Sequence, residues 1–155
     1  MPYSVLFVDD DQNLLRSMAR MLRQQPYRLY TAHDGREAMA ALNAHPVDVV
    51  VADESMPGLS GSELLAWVAE HYPDVMRIVL TGHPTTELAI RAVNEGRVFH
   101  FFTKPCDPVA LAVTIRRALE ERDRLRRRTV ALPAQGPSQE PSAAWYDGGD
   151  PYHPL

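Results

Sequence analysis

The chain has 155 residues, of which 45% are hydrophobic, enough for one domain with a sizeable buried core. A formal net charge of −4 gives no reason to expect a nucleic acid or an anionic membrane as a partner. The single cysteine, Cys106, excludes an intramolecular disulfide and fits a reducing compartment. The N-terminus has neither a signal-peptide pattern nor a long apolar run, so we expect a cytoplasmic protein.

Apolar segments of strand length alternate with segments of helical period up to about residue 120. The predicted strands are 4–8, 28–32, 47–52, 76–80 and 98–102. The predicted helices are 11–25, one that begins after Asp34, one that begins after Ser60, 85–94 with a cap at Gly96, and one that begins near Pro108. Five strand–helix units predict an α/β fold, with helices on both faces of a parallel sheet.

Three helix starts are marked by capping residues. Asp11 and Asp34 are expected N-caps, because their side-chain oxygens can accept from the first free backbone N–H groups of a helix. Ser60 and Glu63 have the spacing of a capping box.

The C-terminal part of the chain changes in composition. We expect a folded domain over 1–120, a charged helical extension over 121–128, and a proline-rich disordered tail over 129–155. Arg122, Arg124 and the arginines at 126–128 form a basic run, but acidic residues interrupt it, which favours a solvated helix over a nucleic-acid site. A 4-3 spacing is shared by Leu111, Ile115, Ala118, Arg122 and Leu125. With fewer than three heptads and an arginine in the seam, it is weak evidence for a coiled coil and fits equally well the start of a linker.

Polar residues follow four of the predicted strands. Asp9 and Asp10 follow the first, Asp53 the third, Thr81 the fourth and Lys104 the fifth. In the flavodoxin-like strand order 2-1-3-4-5, strands one and three are neighbours at the topological switch point, where α/β sheets bind ligands. Three carboxylates there would repel one another unless a cation binds, and oxygen ligands suit Mg²⁺. A carboxylate can also accept a phosphoryl group as an aspartyl phosphate, so these residues fit phosphoryl capture on Asp53.

The chain resembles the receiver domain of two-component response regulators over residues 3–119. The matching segments are Val8-Asp9-Asp10-Asp11, Asp53-Glu54-Ser55-Met56-Pro57-Gly58-Leu59-Ser60-Gly61, Leu80-Thr81-Gly82 and Phe102-Thr103-Lys104-Pro105. The resemblance implies a flavodoxin-like (βα)5 fold with strand order 2-1-3-4-5. It also implies that Asp53 accepts phosphate from a histidine kinase's phosphohistidine.

Further roles follow from the resemblance. Asp10 would bind Mg²⁺ (or Mn²⁺) directly, Asp9 largely through water, and Asp53 and the backbone carbonyl of Ser55 would complete the protein ligands. Lys104 would pair with the phosphate and precede a cis peptide bond to Pro105.

Switching and phosphate lifetime involve a second set of residues. Thr81 would be the switch hydroxyl, and Phe101 occupies the position of the family's rotamer-switch residue, although it lacks a hydroxyl. Ser55 and His83 lie where side chains influence hydrolysis of the aspartyl phosphate in the family.

The resemblance also implies partners. A sensor histidine kinase or phosphotransfer protein would donate the phosphate, and an effector protein would bind the face formed by the helix at 85–94, the fifth strand and the last helix. The same face is a candidate for homodimer contacts, and we expect no direct contact with nucleic acid or membrane. Residues 93–96 and 101–106 also look like those of receivers joined to HD-type cyclic-dinucleotide phosphodiesterases, although the chain has no HD pair.

The same residues allow two other functions. In a haloacid-dehalogenase-type phosphatase, Asp9 would attack the substrate and Asp11 would act as acid and base, but Asp53 would have no role. A pseudo-receiver would bind partners without phosphorylation, which the intact acidic set argues against. We therefore expect a switch that promotes its own phosphorylation and slow dephosphorylation, with no separate substrate turnover.

Overall fold

The structure is a computed structural model, and it describes residues 3–82, 85, 98–105 and 107–131. The chain forms two compact units, residues 1–122 and residues 123–155. The first unit contains the sheet, and the described part of the second is helical as far as Ala131.

Five parallel strands form one sheet, in the order β2-β1-β3-β4-β5. The strands are β1 (Tyr3–Val8), β2 (Tyr27–Ala32), β3 (Val49–Asp53), β4 (Met76–Thr81) and β5 (His100–Thr103). The described helices are α1 (Gln12–Met21), α2 (Gly35–Ala44), α3 (Gly61–His71) and the C-terminal helix (Pro108–Ala131). This is the flavodoxin-like order predicted from the sequence, and the prediction of fold class is confirmed.

The core lies in two layers, because successive side chains of each strand point to opposite faces of the sheet. Leu6 and Val8 of β1 pack on one face with apolar residues of α2 and α3. Val5 and Phe7 pack on the other face with apolar residues of α1 and the C-terminal helix. The central strand β3 is buried along its whole length, as expected for a parallel strand covered on both faces.

The predicted helix caps are confirmed. Asp11 accepts hydrogen bonds from the backbone N–H groups of Asn13 and Leu14, and Asp34 accepts one from that of Glu37. Ser60 and Glu63 form the reciprocal capping box that their spacing predicted.

Some predicted bounds were wrong. Helix α1 ends at Met21 instead of residue 25, because Leu22 already forms its C-cap. Strand β3 begins at Val49 instead of Val47. The C-terminal helix, for which only a start near Pro108 was predicted, runs from Pro108 to Ala131. The predicted helix at 85–94 and its cap at Gly96 lie outside the described residues, except for Thr85.

The C-terminal helix packs on the sheet with residues that could have formed a coiled-coil seam. Leu111, Ile115 and Ala118 are fully buried in the second core layer. Arg122 follows on the same face and is also buried. Its guanidinium lies 2.8 Å from an Asp48 carboxylate oxygen and donates through Nε to the Asp74 carbonyl at 2.8 Å. These residues therefore stabilise the domain itself.

Asp48 explains why β3 starts later than predicted. Its carboxylate accepts a hydrogen bond from the backbone N–H of Ser4 at 2.8 Å, while its backbone N–H donates to the Ser4 carbonyl. We call Asp48, the Asp74 carbonyl and Arg122 the arginine clamp. It lies at the amino ends of β1, β3 and β4, opposite the edge where Asp53 lies. Of the helices described, none is long and apolar enough to cross a bilayer.

Candidate functional site

The carboxyl edge of the sheet brings three carboxylates together. Asp9 follows β1 and Asp53 ends β3, and the pairing of Val8 with Ala52 places the two strand ends side by side. Asp9 and Asp53 are each only 4% exposed, whereas Asp10 is exposed. Carboxylate oxygens of Asp9, Asp10 and Asp53 all lie within 4.8 Å of one another. This is the acidic cluster predicted from the strand ends.

Lys104 follows β5, the outermost strand on one side of the sheet, and reaches this cluster with its side chain. Its Nζ lies 2.9 Å from Asp9 Oδ2 and 2.9 Å from Asp53 Oδ1. The backbone N–H of Lys104 donates to the Thr81 carbonyl at 2.7 Å, which fixes the start of the loop after β5. The peptide bond from Lys104 to Pro105 is cis, as the resemblance implied.

The electrostatics of the site follow from burial and close charges. Burial raises the pKa of the Asp53 carboxyl, and the negative charges of Asp9 and Asp10 add to the increase, against the opposing effect of the Lys104 ammonium. Burial disfavours the Lys104 ammonium, but its hydrogen bonds to Asp53 and Asp9 outweigh that effect and raise its pKa. Lys104 therefore stays positively charged, and it lies beside more carboxylates than its single charge can balance.

This donor set fits a divalent cation of the magnesium type. One ammonium group cannot balance three carboxylates, so a net negative charge remains in a small space. The oxygens of Asp9, Asp10 and Asp53 are hard ligands of the kind that Mg²⁺ prefers, and exposure of Asp10 leaves room for the waters that Mg²⁺ keeps.

Thr81 and Phe101 share one face of the sheet. Phe101 pairs with Val79 on β4, two residues before Thr81, and its ring packs against the core layer beneath α2 and α3. Thr81 is 1% exposed, and Phe101 is half-buried. The predicted switch pair therefore lies on the same face of the sheet, on the neighbouring strands β4 and β5. Ser55 is exposed in the loop after β3, and His83 lies outside the described residues.

One polar contact near Asp53 had no counterpart in the sequence analysis. Glu54 is 6% exposed, and its Oε1 accepts hydrogen bonds from the backbone N–H of Ser62 at 2.9 Å and from the Ser62 hydroxyl at 2.6 Å. Glu54 lies within the segment from Asp53 to Gly61 that resembles the receiver family, and Ser62 directly follows it. No local pattern indicates, however, that a charged residue after a strand bonds the start of the next helix.

Comparison with known proteins gives the family. The model of the response regulator receiver domain matches residues 5–116. Over 117 residues the chain is 38% identical to the hydrogenase transcriptional regulatory protein HoxA of Cupriavidus necator, covering 76% of this chain and 24% of HoxA. It is also 38% identical over 120 residues to the transcriptional regulatory protein GlrR of Escherichia coli, covering 77% of this chain and 27% of GlrR. The chain thus spans about a quarter of the length of these curated relatives.

Solved structures agree with this assignment. The signal receiver domain of an HD domain-containing protein from Pseudomonas fluorescens Pf-5 superposes with a TM-score of 0.77 at 33% identity, covering 79% of this chain and 98% of that one. A CheY-like response regulator receiver domain protein from Methanospirillum hungatei superposes with a TM-score of 0.76 at 26% identity, covering 80% of this chain and 98% of that one. The match to the family model spans most of the chain, and the chain belongs to the response regulator receiver domain family of two-component signal transduction.

Proposed function

We propose that the chain is a phosphorylation-controlled switch in which Asp53 accepts a phosphoryl group from a histidine kinase or a phosphotransfer protein. The observation that carries the proposal is the position of Lys104, whose ammonium contacts both Asp9 and Asp53 at the edge where three carboxylates meet. Family membership supports it, because receiver domains act in phosphorylation-controlled signalling. The curated relatives are transcriptional regulatory proteins, which implies a kinase that supplies the phosphate and an effector that acts downstream.

The chemistry proposed for Asp53 is a displacement at phosphorus. A carboxylate oxygen of Asp53 forms the new O–P bond as the N–P bond of the donor phosphohistidine breaks, and the leaving imidazole keeps the electron pair of that bond. Asp9, Asp10, Asp53 and the Ser55 carbonyl would hold Mg²⁺, which when bound supplies charge neutralisation for the phosphoryl oxygens. Lys104 would stabilise another phosphoryl oxygen, and such a donor contributes about a hundredfold to the rate.

The proposed response begins at Thr81. A phosphoryl group adds about −1.5 to −2 charge and strong hydrogen-bond acceptors, so the Thr81 hydroxyl would move toward it. Phe101 would then occupy the space released on the same face of the sheet and alter the surface of β5 and the C-terminal helix. Moving such an equilibrium from mostly off to mostly on takes about 5.5 kcal/mol, which two or three charge-assisted hydrogen bonds of about 1.5–3 kcal/mol each can supply.

The phosphatase alternative finds no support at Asp11. The carboxylate of Asp11 caps α1 by accepting from Asn13 and Leu14, so it is engaged away from the Asp9–Asp53 pair. The comparisons suggest two kinds of effector. The curated relatives are transcriptional regulators, and one similar structure comes from an HD domain-containing protein. For the chain itself we propose partner binding through β5 and the C-terminal helix, including homodimer contacts.

The first test is the intact mass of the protein after incubation with acetyl phosphate and Mg²⁺. We expect one added phosphoryl group (about 80 Da) on the wild type and none on Asp53→Asn, because the amide is a much poorer nucleophile than the carboxylate. Omission of Mg²⁺ should suppress the adduct. An adduct on both proteins would show that another residue is the acceptor, and no adduct on either would favour the pseudo-receiver.

A further inference from the structure

We propose that Glu54 is a positioning residue for phosphoryl acceptance: through Ser62 it fixes the loop that carries Ser55 and the end of β3 that carries Asp53. This inference rests on the proposed function and deepens it. The carboxylate of Glu54 is buried directly after Asp53, and it accepts hydrogen bonds from Ser62 at the start of α3. It therefore connects the reacting residue to a rigid element.

The connection has three parts. The Glu54 carboxylate accepts from the Ser62 N–H and hydroxyl, and the Glu54 carbonyl accepts from the Gly61 N–H at 3.1 Å. Gly61 also packs against the strand end, since a Cβ at this position would lie 2.4 Å from the Asp53 carbonyl oxygen. A charge-assisted bond, a backbone bond and a close contact thus hold the same two segments together.

The contact closes a short loop with fixed ends. Residues 55–60 connect the end of β3 to the start of α3 at Gly61. Glu54, just before this loop, accepts hydrogen bonds from Gly61 and Ser62, just after it. The backbone N–H of Glu54 also donates to the Leu80 carbonyl at 2.7 Å, which ties the same residue to β4. Since the Ser55 carbonyl is a proposed metal ligand, its position depends on how tightly this loop is closed.

The capping of α3 separates positioning from simple helix stability. Glu63 caps the same helix by accepting from the Ser60 N–H at 2.9 Å, but its contact does not reach the strand end. Glu63→Ala is therefore a matched control, because it weakens the start of α3 and leaves the contact from Glu54 to Ser62 in place.

The variants that test the proposal are Glu54→Ala, Glu54→Gln, Ser62→Ala and the double variant Glu54→Ala/Ser62→Ala. Both hydrogen bonds from Ser62 go to one oxygen of Glu54, so the amide oxygen of glutamine can accept both, whereas alanine accepts neither. We expect Glu54→Ala to be phosphorylated by acetyl phosphate at least about tenfold more slowly and Glu54→Gln to be close to the wild type. Ser62→Ala should lie between, and the double variant should be no slower than Glu54→Ala, because both changes break one contact.

Two further readouts make the experiment decisive. Mg²⁺ affinity, measured by calorimetry without any phosphoryl donor, should fall in Glu54→Ala and be restored in Glu54→Gln. Urea unfolding of every variant gives the folded fraction, so a rate loss in Glu54→Ala that Glu63→Ala reproduces at equal stability would overturn the proposal. A Glu54→Ala rate equal to that of the wild type, or a Glu54→Gln rate as low as that of Glu54→Ala, would also overturn it. If the wild type neither bound Mg²⁺ nor was phosphorylated, the proposed function itself would fail, and the inference with it.

Discussion

At the scale of single residues, Lys104 is the side chain on which the site depends. Its Nζ lies 2.9 Å from a carboxylate oxygen of each of the two buried aspartates, Asp9 and Asp53. An ammonium carries three donors without a fixed plane, so two can bond the carboxylates while the third stays available for a ligand. Arginine would present a planar fork instead and could not be expected to replace it. The position of this lysine explains how two buried aspartates can lie side by side at this edge of the sheet.

A second residue, Tyr27, permits a test of burial that is independent of phosphorylation. Its hydroxyl is buried and has no hydrogen-bond partner within the described part of the chain. Burial raises its pKa to about 12, against the opposing effect of the Arg116 charge. The unfolded phenol ionises near its ordinary pKa of 10.0, before the folded one. Between these values the folded state keeps a proton that the unfolded state loses, so stability falls as the pH rises from about 10 to about 12.

Tyr27→Phe should therefore stabilise the protein. At neutral pH we expect a gain of about 1 kcal/mol in the free energy of unfolding, because a buried hydroxyl without a partner is removed. The gain should increase above pH 10, where only the wild type loses stability through ionisation of this phenol. Urea unfolding of both proteins at neutral and alkaline pH measures the difference. A loss of stability at neutral pH, or a difference that does not change with pH, would contradict the assignment.

At the scale of elements, the arginine clamp holds the C-terminal helix to the sheet. Arg122 is one turn beyond the last apolar core residues of the helix and contacts loops that precede β3 and β4. Ser4 joins the same group through its bond to Asp48, so the clamp connects three strands and a helix. Because the clamp is at the amino edge, it can stabilise the fold without influencing the chemistry at the carboxyl edge.

Arg122→Ala should cost about 3 kcal/mol of stability, since removing one partner leaves the Asp48 carboxylate without its cation in a mostly buried position. The measurement is urea unfolding, with Arg117→Ala as the control. Arg117 is exposed on the same helix, and its removal should change stability by no more than about 0.5 kcal/mol. Phosphorylation of folded Arg122→Ala should match that of the wild type. Equal stabilities for the two variants would show that the clamp contributes little.

At the scale of the whole molecule, we propose the division of the chain expected from its composition, with the receiver domain at 1–120, a helical extension at 121–128 and a tail at 129–155. Every buried core residue of the described part lies between Ser4 and Arg122. A chain that ends at Ala131 should therefore retain its urea midpoint and its phosphorylation by acetyl phosphate. A loss of more than about 1 kcal/mol relative to the full chain would show that the tail contributes to folding.

Much of the fold and site could be predicted from the sequence because both depend on regular patterns. Buried parallel strands appear in the sequence as apolar runs, and the residues at their carboxyl ends converge at one edge of the sheet. The proximity of Asp9, Asp53 and Lys104 could therefore be predicted. The clamp could not, because Asp48 lies inside an apolar run and Arg122 inside a charged one. Its contact from Arg122 to Asp74 joins residues 48 positions apart, and no local pattern encodes such a pair. The bond from Glu54 to Ser62 is closer in sequence, but only the geometry of the loop reveals it.

The separation of Lys104 from its partners has a consequence for how the protein is made. Asp9 and Lys104 are 95 positions apart, and Asp9, Asp10 and Asp53 all precede the lysine in the chain. During synthesis, the carboxylates leave the ribosome well before the lysine, at about 5–20 residues per second. For several seconds, a nascent chain that pairs β1 with β3 would therefore hold these carboxylates without Lys104.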